Sequence, residues 1–420
     1  MRAYKKHYLG LCLNRMKHPP SASEWLLLSE AEKKKPRILS YGLLVMAVSH
    51  MLIHVFGGIH TAIFSELRDE FNLNLQQLGL IASIPSLASA VLAIPVGLLS
   101  DRLGSKKMLL VSFSFAAVGA VLAGTASTPL MLIVAVSLIY INVSIYHPAS
   151  YAATTKMFEP KDRAKALGLH GAGGTLGHAT GPLSVSLLVG VLAWQWRQVY
   201  LFLAAPMIIG ILMVLRLPDD KVEKTEKKPE QKGDSDKFLT TNMIMFLAYQ
   251  ATRTIATSMI ATFLVLYLQD VKGMSLTVAT FIASTNTLTG LIAAPLGGYL
   301  AARFGEKKWL QTSLLGAFTV LAIAFQVPNN TLFMALYVLY GFGNILGMAG
   351  KNAIIAKLTP SKQRGLGYAL FFLPGSIIGA VTPVAAGYVA DLMGFQTIFN
   401  FAVVVNFVAL GILRFAVKVD

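Results

Sequence analysis

The feature that most limits what this chain can fold into is an apolar run of about twenty residues that recurs along its length between short basic strips. A helix of about 20 residues crosses the roughly 30 Å hydrocarbon core of a bilayer. Inside that core every backbone polar group must be bonded internally, which leaves only helices and closed barrels. Barrel strands would be about ten residues long and would alternate apolar with polar; no such alternation is present. The runs place spans near 40–65, 76–99, 107–126, 130–156, 165–191 and 198–217, then 239–267, 276–301, 308–326, 331–357, 366–390 and 395–416. Only 13% of residues are charged, about half the soluble average of roughly 25%. The expected fold class is therefore an all-α integral membrane protein with twelve transmembrane helices.

The formal charge of +16 would suit a nucleic-acid binder if it were spread over one face, but it lies in strips between the spans. With the N-terminus cytoplasmic, 31 of the 36 Lys and Arg fall on the inner side. Such a bias fixes orientation, so both termini are expected inside a plasma membrane, with no nucleic-acid partner. Residues 1–38 read as a cytoplasmic tail. Glu24–Leu28 and the following lysines could lie as a helix on the anionic inner leaflet, or the tail could be a solvated topology signal. The single cysteine, Cys12, cannot form a disulfide within the chain.

Residues 218–238 (PDDKVEKTEKKPEQKGDSDKF) form the longest charged run and read as a cytoplasmic linker. It separates a six-helix half, 39–217, from a second half, 239–420. The halves match at an offset of 201. Gly97, Arg102, Gly104, Lys106 and Lys107 align with Gly298, Arg303, Gly305, Lys307 and Lys308. Lys156, Arg163, Gly174 and Pro182 align with Lys357, Arg364, Gly375 and Pro383. Two parallel six-helix repeats with a site between them are a transporter architecture.

The strip Gly97-Leu-Leu-Ser-Asp101-Arg102-Leu-Gly104-Ser-Lys106-Lys107 resembles the signature between helices 2 and 3 of the major facilitator superfamily, and its copy at Gly298–Lys308 stands where the second half should carry it. Ser49-His50, Phe71-Asn72-Leu73 with Leu78-Gly79-Leu80, and Tyr146-His147-Pro148 are similar to the fosmidomycin-resistance-like branch. Two acidic positions of that branch are missing: Ile53 and His54 follow His50, and Ala149 follows Pro148. The resemblance implies helices 1, 4, 7 and 10 around a central cavity. In the strip itself, Gly97 and Gly104 permit a sharp turn. Asp101, Arg102, Arg303 and Arg364 are the charges expected to latch the inner side through ion pairs or helix ends. The copy has Ala302 in place of the aspartate, so the latch is expected to be asymmetric. In span 5, Gly173, Gly177 and Gly181 repeat every four residues before Pro182. That spacing gives a groove for close helix packing, with a bend at the proline.

Ionisable side chains within spans are costly and mark functional sites. Arg253 lies fourteen residues into span 7, about 21 Å along the helix. There it could bind a carboxylate or phosphonate bidentately, or be satisfied by neighbours such as Thr252 and Thr254. Lys351 in span 10 could join it or snorkel toward Lys357. No Asp or Glu lies deep in any span, which favours an anionic or neutral substrate. Six of the eight histidines fall in spans of the first half. His50, His54 and His147 are expected to face Arg253 as substrate contacts; with His178 they are the candidate proton carriers, since imidazole titrates near neutrality. His60 reads as interfacial and His170 as packing.

No catalytic residue, cofactor or metal site is assigned. There is no Walker strip for ATP. His50 and His54, one turn apart, could bind a metal by themselves, but no glutamate follows them as zinc hydrolysis would require. The reading is of a monomeric secondary active transporter of a small organic anion, coupled to protons. A proton-driven exporter of neutral or zwitterionic drug-like compounds is the alternative. Of other classes, a non-transporting sensor on the same fold remains, as does a lipid-modifying enzyme, for which no interfacial polar cluster is found.

Overall fold

A computed structural model describes residues 40–158, 162–218, 240–359 and 364–419; within helices, side chains at 93, 94, 97, 98, 100–102, 163–165, 356 and 364–374 are outside that description. The expected tail 1–38 and nearly all of the linker 218–238 lie outside the described residues. So do the surroundings of Gly97, Asp101, Arg102 and Arg364, whose latching role therefore has no structural account.

Among the described residues the regular structure is all helix, with turns and short loops between and no strand. Helix α1 (Tyr41–His54) is followed by the short α2 (Ile59–Ala62) and by α3 (Phe64–Phe71). Then come α4 (Leu75–Leu103), α5 (Ser105–Gly124), α6 (Pro129–Met157), α7 (Arg163–Ser184, continued as a π-helix over Val185–Val191) and α8 (Trp196–Leu215). Beyond the linker follow α9 (Thr241–Asp270), α10 (Leu276–Leu288), α11 (Gly290–Phe304) and α12 (Glu306–Ala324). The chain ends with α13 (Asn330–Leu346), α14 (Met348–Leu358), α15 (Arg364–Met393) and α16 (Phe395–Gly411).

Ten helical stretches among the described residues are long and apolar enough to cross a membrane, against twelve expected. The other two expected spans, 165–191 and 308–326, are occupied by α7 and α12. Glycines and two histidines dilute the apolar content of α7, and α12 opens on Glu306-Lys307-Lys308. Several helix N-termini are capped by short oxygen-bearing side chains. Ser40 accepts from Leu43 N, Thr128 from Met131 N, Thr240 from Met243 N and Asn329 from Leu332 N.

The repeat is written into the backbone as well. Among the described residues seven have positive φ, and six of them pair at the offset of 201: Asn72 with Gly273, Gly104 with Gly305, and Ala193 with Gly394. Gly104 (φ 83°) and Gly305 (φ 88°) are the joints at which α4 turns into α5 and α11 into α12. The caps Thr128 and Asn329 share the offset. The unpaired position, Gly58, breaks the first span between α1 and α2.

Two long seams join the segments before and after the linker. In one, α4 lies along α15: a β-carbon on Gly79 would overlap the Pro383 carbonyl, and one on Gly387 would overlap that of Leu75. In the other, the end of α7 lies along α10, where Ser186 Oγ donates to the Thr277 carbonyl at 2.8 Å. Between described residues, every hydrogen bond linking the two segments sits at the end of the bundle opposite the termini. Arg68 pairs bidentately with Asp270. Both oxygens of Asp391 accept backbone N–H bonds at the start of α4, from Leu75 (3.0 Å) and Gln76 (2.9 Å). At the same end Glu70 accepts from Arg197 and from Trp196 Nε1 at 2.8 Å. Those bonds hold the Glu70 carboxyl below the usual carboxylate range.

Candidate functional site

The glycines of α7 fit against the backbone of the first span. A β-carbon on Gly173, Gly177 or Gly181 would overlap the carbonyl of Ala47, Met51 or Gly57, respectively. A β-carbon on Gly174 would come 2.5 Å from His50 Cε1, and one on Gly177 2.8 Å from His54 Cβ. Small residues four apart thus bring the two backbones into contact, and the imidazoles of both helices are pressed together as a result.

Five histidines from α1, α6 and α7 form one cluster. His50 stacks on His170 with ring centroids 4.1 Å apart, and His54 stacks on His178 at 3.9 Å. His147 of α6 completes the group, 5.2 Å from His50 and 5.4 Å from His54. His50 Nδ1 and the His170 carbonyl are 2.7 Å apart; because a carbonyl only accepts, Nδ1 carries the proton and Nε2 the lone pair. Tyr146 braces the group by sharing a 2.6 Å hydrogen bond with Ser49 and donating to the Met46 carbonyl at 3.2 Å. His170, expected only to pack, belongs to this cluster. His60, expected at the interface, is buried 5.6 Å from the Tyr140 ring.

Arg253 sits elsewhere. Its guanidinium donates to Asn344 of α13, and Tyr249, Tyr340 and Lys351 lie within its electrostatic reach. Thr252 and Thr254 are not its partners in the described bonds; Thr254 Oγ1 donates to the Gln250 carbonyl. The Nε–H of Arg253 and the side-chain oxygen of Gln250 are buried without hydrogen-bond partners. The described contacts therefore form two polar clusters, imidazoles before the linker and cations after it, where the sequence suggested one. Asn344, missed in the sequence, was signalled by being an amide within an apolar span.

Between the two segments lies a cavity of about 530 Å³ lined by Gly57, Thr61, Thr175 and His178 on one side and by Ala261, Asn286, Thr287 and Tyr337 on the other. Arg303 is near the end of α11, its guanidinium 5.5 Å from the Phe304 ring.

Helical halves related by an internal repeat, meeting along two seams around an interior cavity, define a membrane transporter rather than an enzyme. A family model described as "Major Facilitator Superfamily" matches residues 46–252 and 246–420, and the chain belongs to that family. It is 29% identical over 353 residues to the multidrug resistance protein MdtG of Proteus mirabilis, covering 81% of this chain and 85% of the relative. It is 24% identical over 381 residues to the fosmidomycin resistance protein of Escherichia coli, covering 86% and 89%. Its fold is that of a bacterial homologue of the human lysosomal transporter Spinster solved in an inward-facing, occupied conformation, with a TM-score of 0.77, 17% identity and coverage of 90% and 96%.

Proposed function

We propose that this multi-pass membrane transporter moves a small organic anion by alternating access, with Arg253 and Lys351 as its anion-binding pair. The observation that carries the reading is the buried Arg253 Nε–H with no acceptor. A guanidinium presents five donors in a fixed fork. Here Nη2 donates to Asn344, leaving the Nε–H to an oxygen of a carboxylate, phosphonate or similar group. Lys351 lies close to Arg253, and no carboxylate lies deep in any span to neutralise the guanidinium.

The imidazole cluster is the proposed proton carrier. Protons bound by His50, His54, His147 or His178 would offset the charge of the anion as both cross. The basic strips support cytoplasmic termini in a plasma membrane, and the transporter is proposed to act as a monomer. With both termini inside, the bonds at the opposite end would close the external side. A second reading, proton-driven export of drug-like compounds, is favoured by the similarity to MdtG and to the fosmidomycin resistance protein.

The test is flux in proteoliposomes holding a pH-sensitive dye. A panel of carboxylates and phosphonates is added at a fixed pH, followed by neutral and cationic drugs. Anion-dependent proton movement, lost in Arg253→Ala, is expected. Proton movement driven by neutral or cationic drugs alone would replace this reading with the second.

A further inference from the structure

We infer that His50, His54 and His147 form a binding site for one divalent transition-metal ion of the Zn²⁺ type, inside the membrane and apart from the Arg253 cluster. One ligand atom from each of the three rings can be chosen so that all lie within 4.8 Å of one another. A tetrahedral site with bonds of about 2.0–2.1 Å needs ligand nitrogens about 3.4 Å apart. The proposal requires the three rings to turn toward a common point by that difference on binding.

Three further observations point to a ligand rather than to packing alone. His50 Nδ1–H donates to the His170 carbonyl, the arrangement that orients a metal-binding imidazole and leaves Nε2 free to coordinate. His147 Nδ1 is buried without a hydrogen-bond partner, as is His170 Nδ1. The backbone around the rings has been cleared, since a β-carbon on Gly174 would strike the His50 ring and one on Gly57 would come 3.1 Å from His178 Nδ1.

The donor set selects the ion. Three neutral nitrogens with neither thiolate nor carboxylate suit Zn²⁺, Co²⁺ or Ni²⁺ and reject Ca²⁺ and Mg²⁺, which require oxygen ligands. Three protein ligands leave a fourth position open, for water or for an anion that offsets the double charge. His178, stacked on His54 and lining the interior cavity, marks the route of entry. A proton and the metal compete for the same lone pairs, so affinity falls as pH drops. The site uses three of the histidines proposed as proton carriers, so a bound metal would displace those protons, but its geometry does not rest on Arg253 as the anion contact.

The experiment uses the full chain without a polyhistidine tag, in nanodiscs, stripped with chelator and titrated with Co²⁺ alone. One Co²⁺ per chain with the intense visible absorption of tetrahedral coordination is expected, bleached by Zn²⁺. Affinity should fall at least about tenfold in each of His50→Gln, His54→Gln and His147→Gln, and stay unchanged in His60→Gln. Substoichiometric binding or an octahedral spectrum in the wild-type protein overturns the proposal, even if a variant fails to fold. Wild-type affinity retained in all three glutamine variants overturns it equally.

Discussion

Asp391 offers the sharpest test of how the closed end is held. Its carboxylate comes from the last turn of α15 and caps the first turn of α4, so the bond exists only when the two halves meet at that end. Removing a capping side chain costs about 0.5–2 kcal/mol. Losing a negative charge beside a helix N-terminus costs a further 0.3–1 kcal/mol or so. Because the site is exposed, a net loss of about 1.5 kcal/mol is reasonable, and at 1.4 kcal/mol per decade this shifts the equilibrium toward opening by roughly tenfold. Thr61 lines the interior cavity, so Thr61→Cys in a Cys12→Ser background reports access. With a slow, membrane-impermeant thiol reagent applied to intact cells, Asp391→Ala should label about tenfold faster than its parent. Asp391→Asn, which keeps an acceptor but no charge, should fall between. Equal labelling rates in a folded Asp391→Ala protein would refute the argument that this bond holds the end shut.

Other consequences follow from the same geometry. Gly173→Val and Gly181→Val each place a branched side chain where α7 meets a carbonyl of the first span. Overpacking of this kind costs about 1–3 kcal/mol, so both should melt well below wild type in detergent, whereas Gly168→Ala, with open space around it, should not. Glu70 has a lowered pKa because Arg197 and Trp196 donate to it. Its stabilisation is therefore complete above the usual glutamate pKa of about 4.5 and is lost as pH falls through the lower folded value. Glu70→Gln should melt below wild type at pH 7, by less than about 1 kcal/mol given its exposure, and the gap should close as pH is taken well below the usual glutamate value. A gap that widens in acid would contradict the assignment.

How much of this was readable beforehand differs by level. Apolar length and basic strips announced the helices, and the repeat at an offset of 201 reappears in the backbone at Gly104 and Gly305. The four-residue spacing of Gly173, Gly177 and Gly181 marked a packing face, but spacing within one helix does not say which neighbour fills it; the first span does. For the same reason the histidines were taken as facing Arg253. Whether a ring points at its own half or across the cavity depends on the rotation of each helix, which neighbours set. His60, read as interfacial, is buried against the Tyr140 ring of α6 just beyond the break at Gly58, a packing that its place near the end of an apolar run does not signal. The capping of α4 by Asp391 joins residues more than 300 apart in sequence, and no local pattern signals it.

The claim on which the account rests most is that Arg253 binds the substrate's negative charge. A thermal-shift screen of purified protein in detergent, with carboxylates, phosphonates, neutral drugs and organic cations at pH 6 and 8, tests it directly. A ligand at 100 times its Kd adds about 2.7 kcal/mol to the folded state, a readily measured rise in melting temperature. Stabilisation confined to anions and abolished in Arg253→Ala is the predicted result. Stabilisation by neutral or cationic compounds that persists in Arg253→Ala would contradict it.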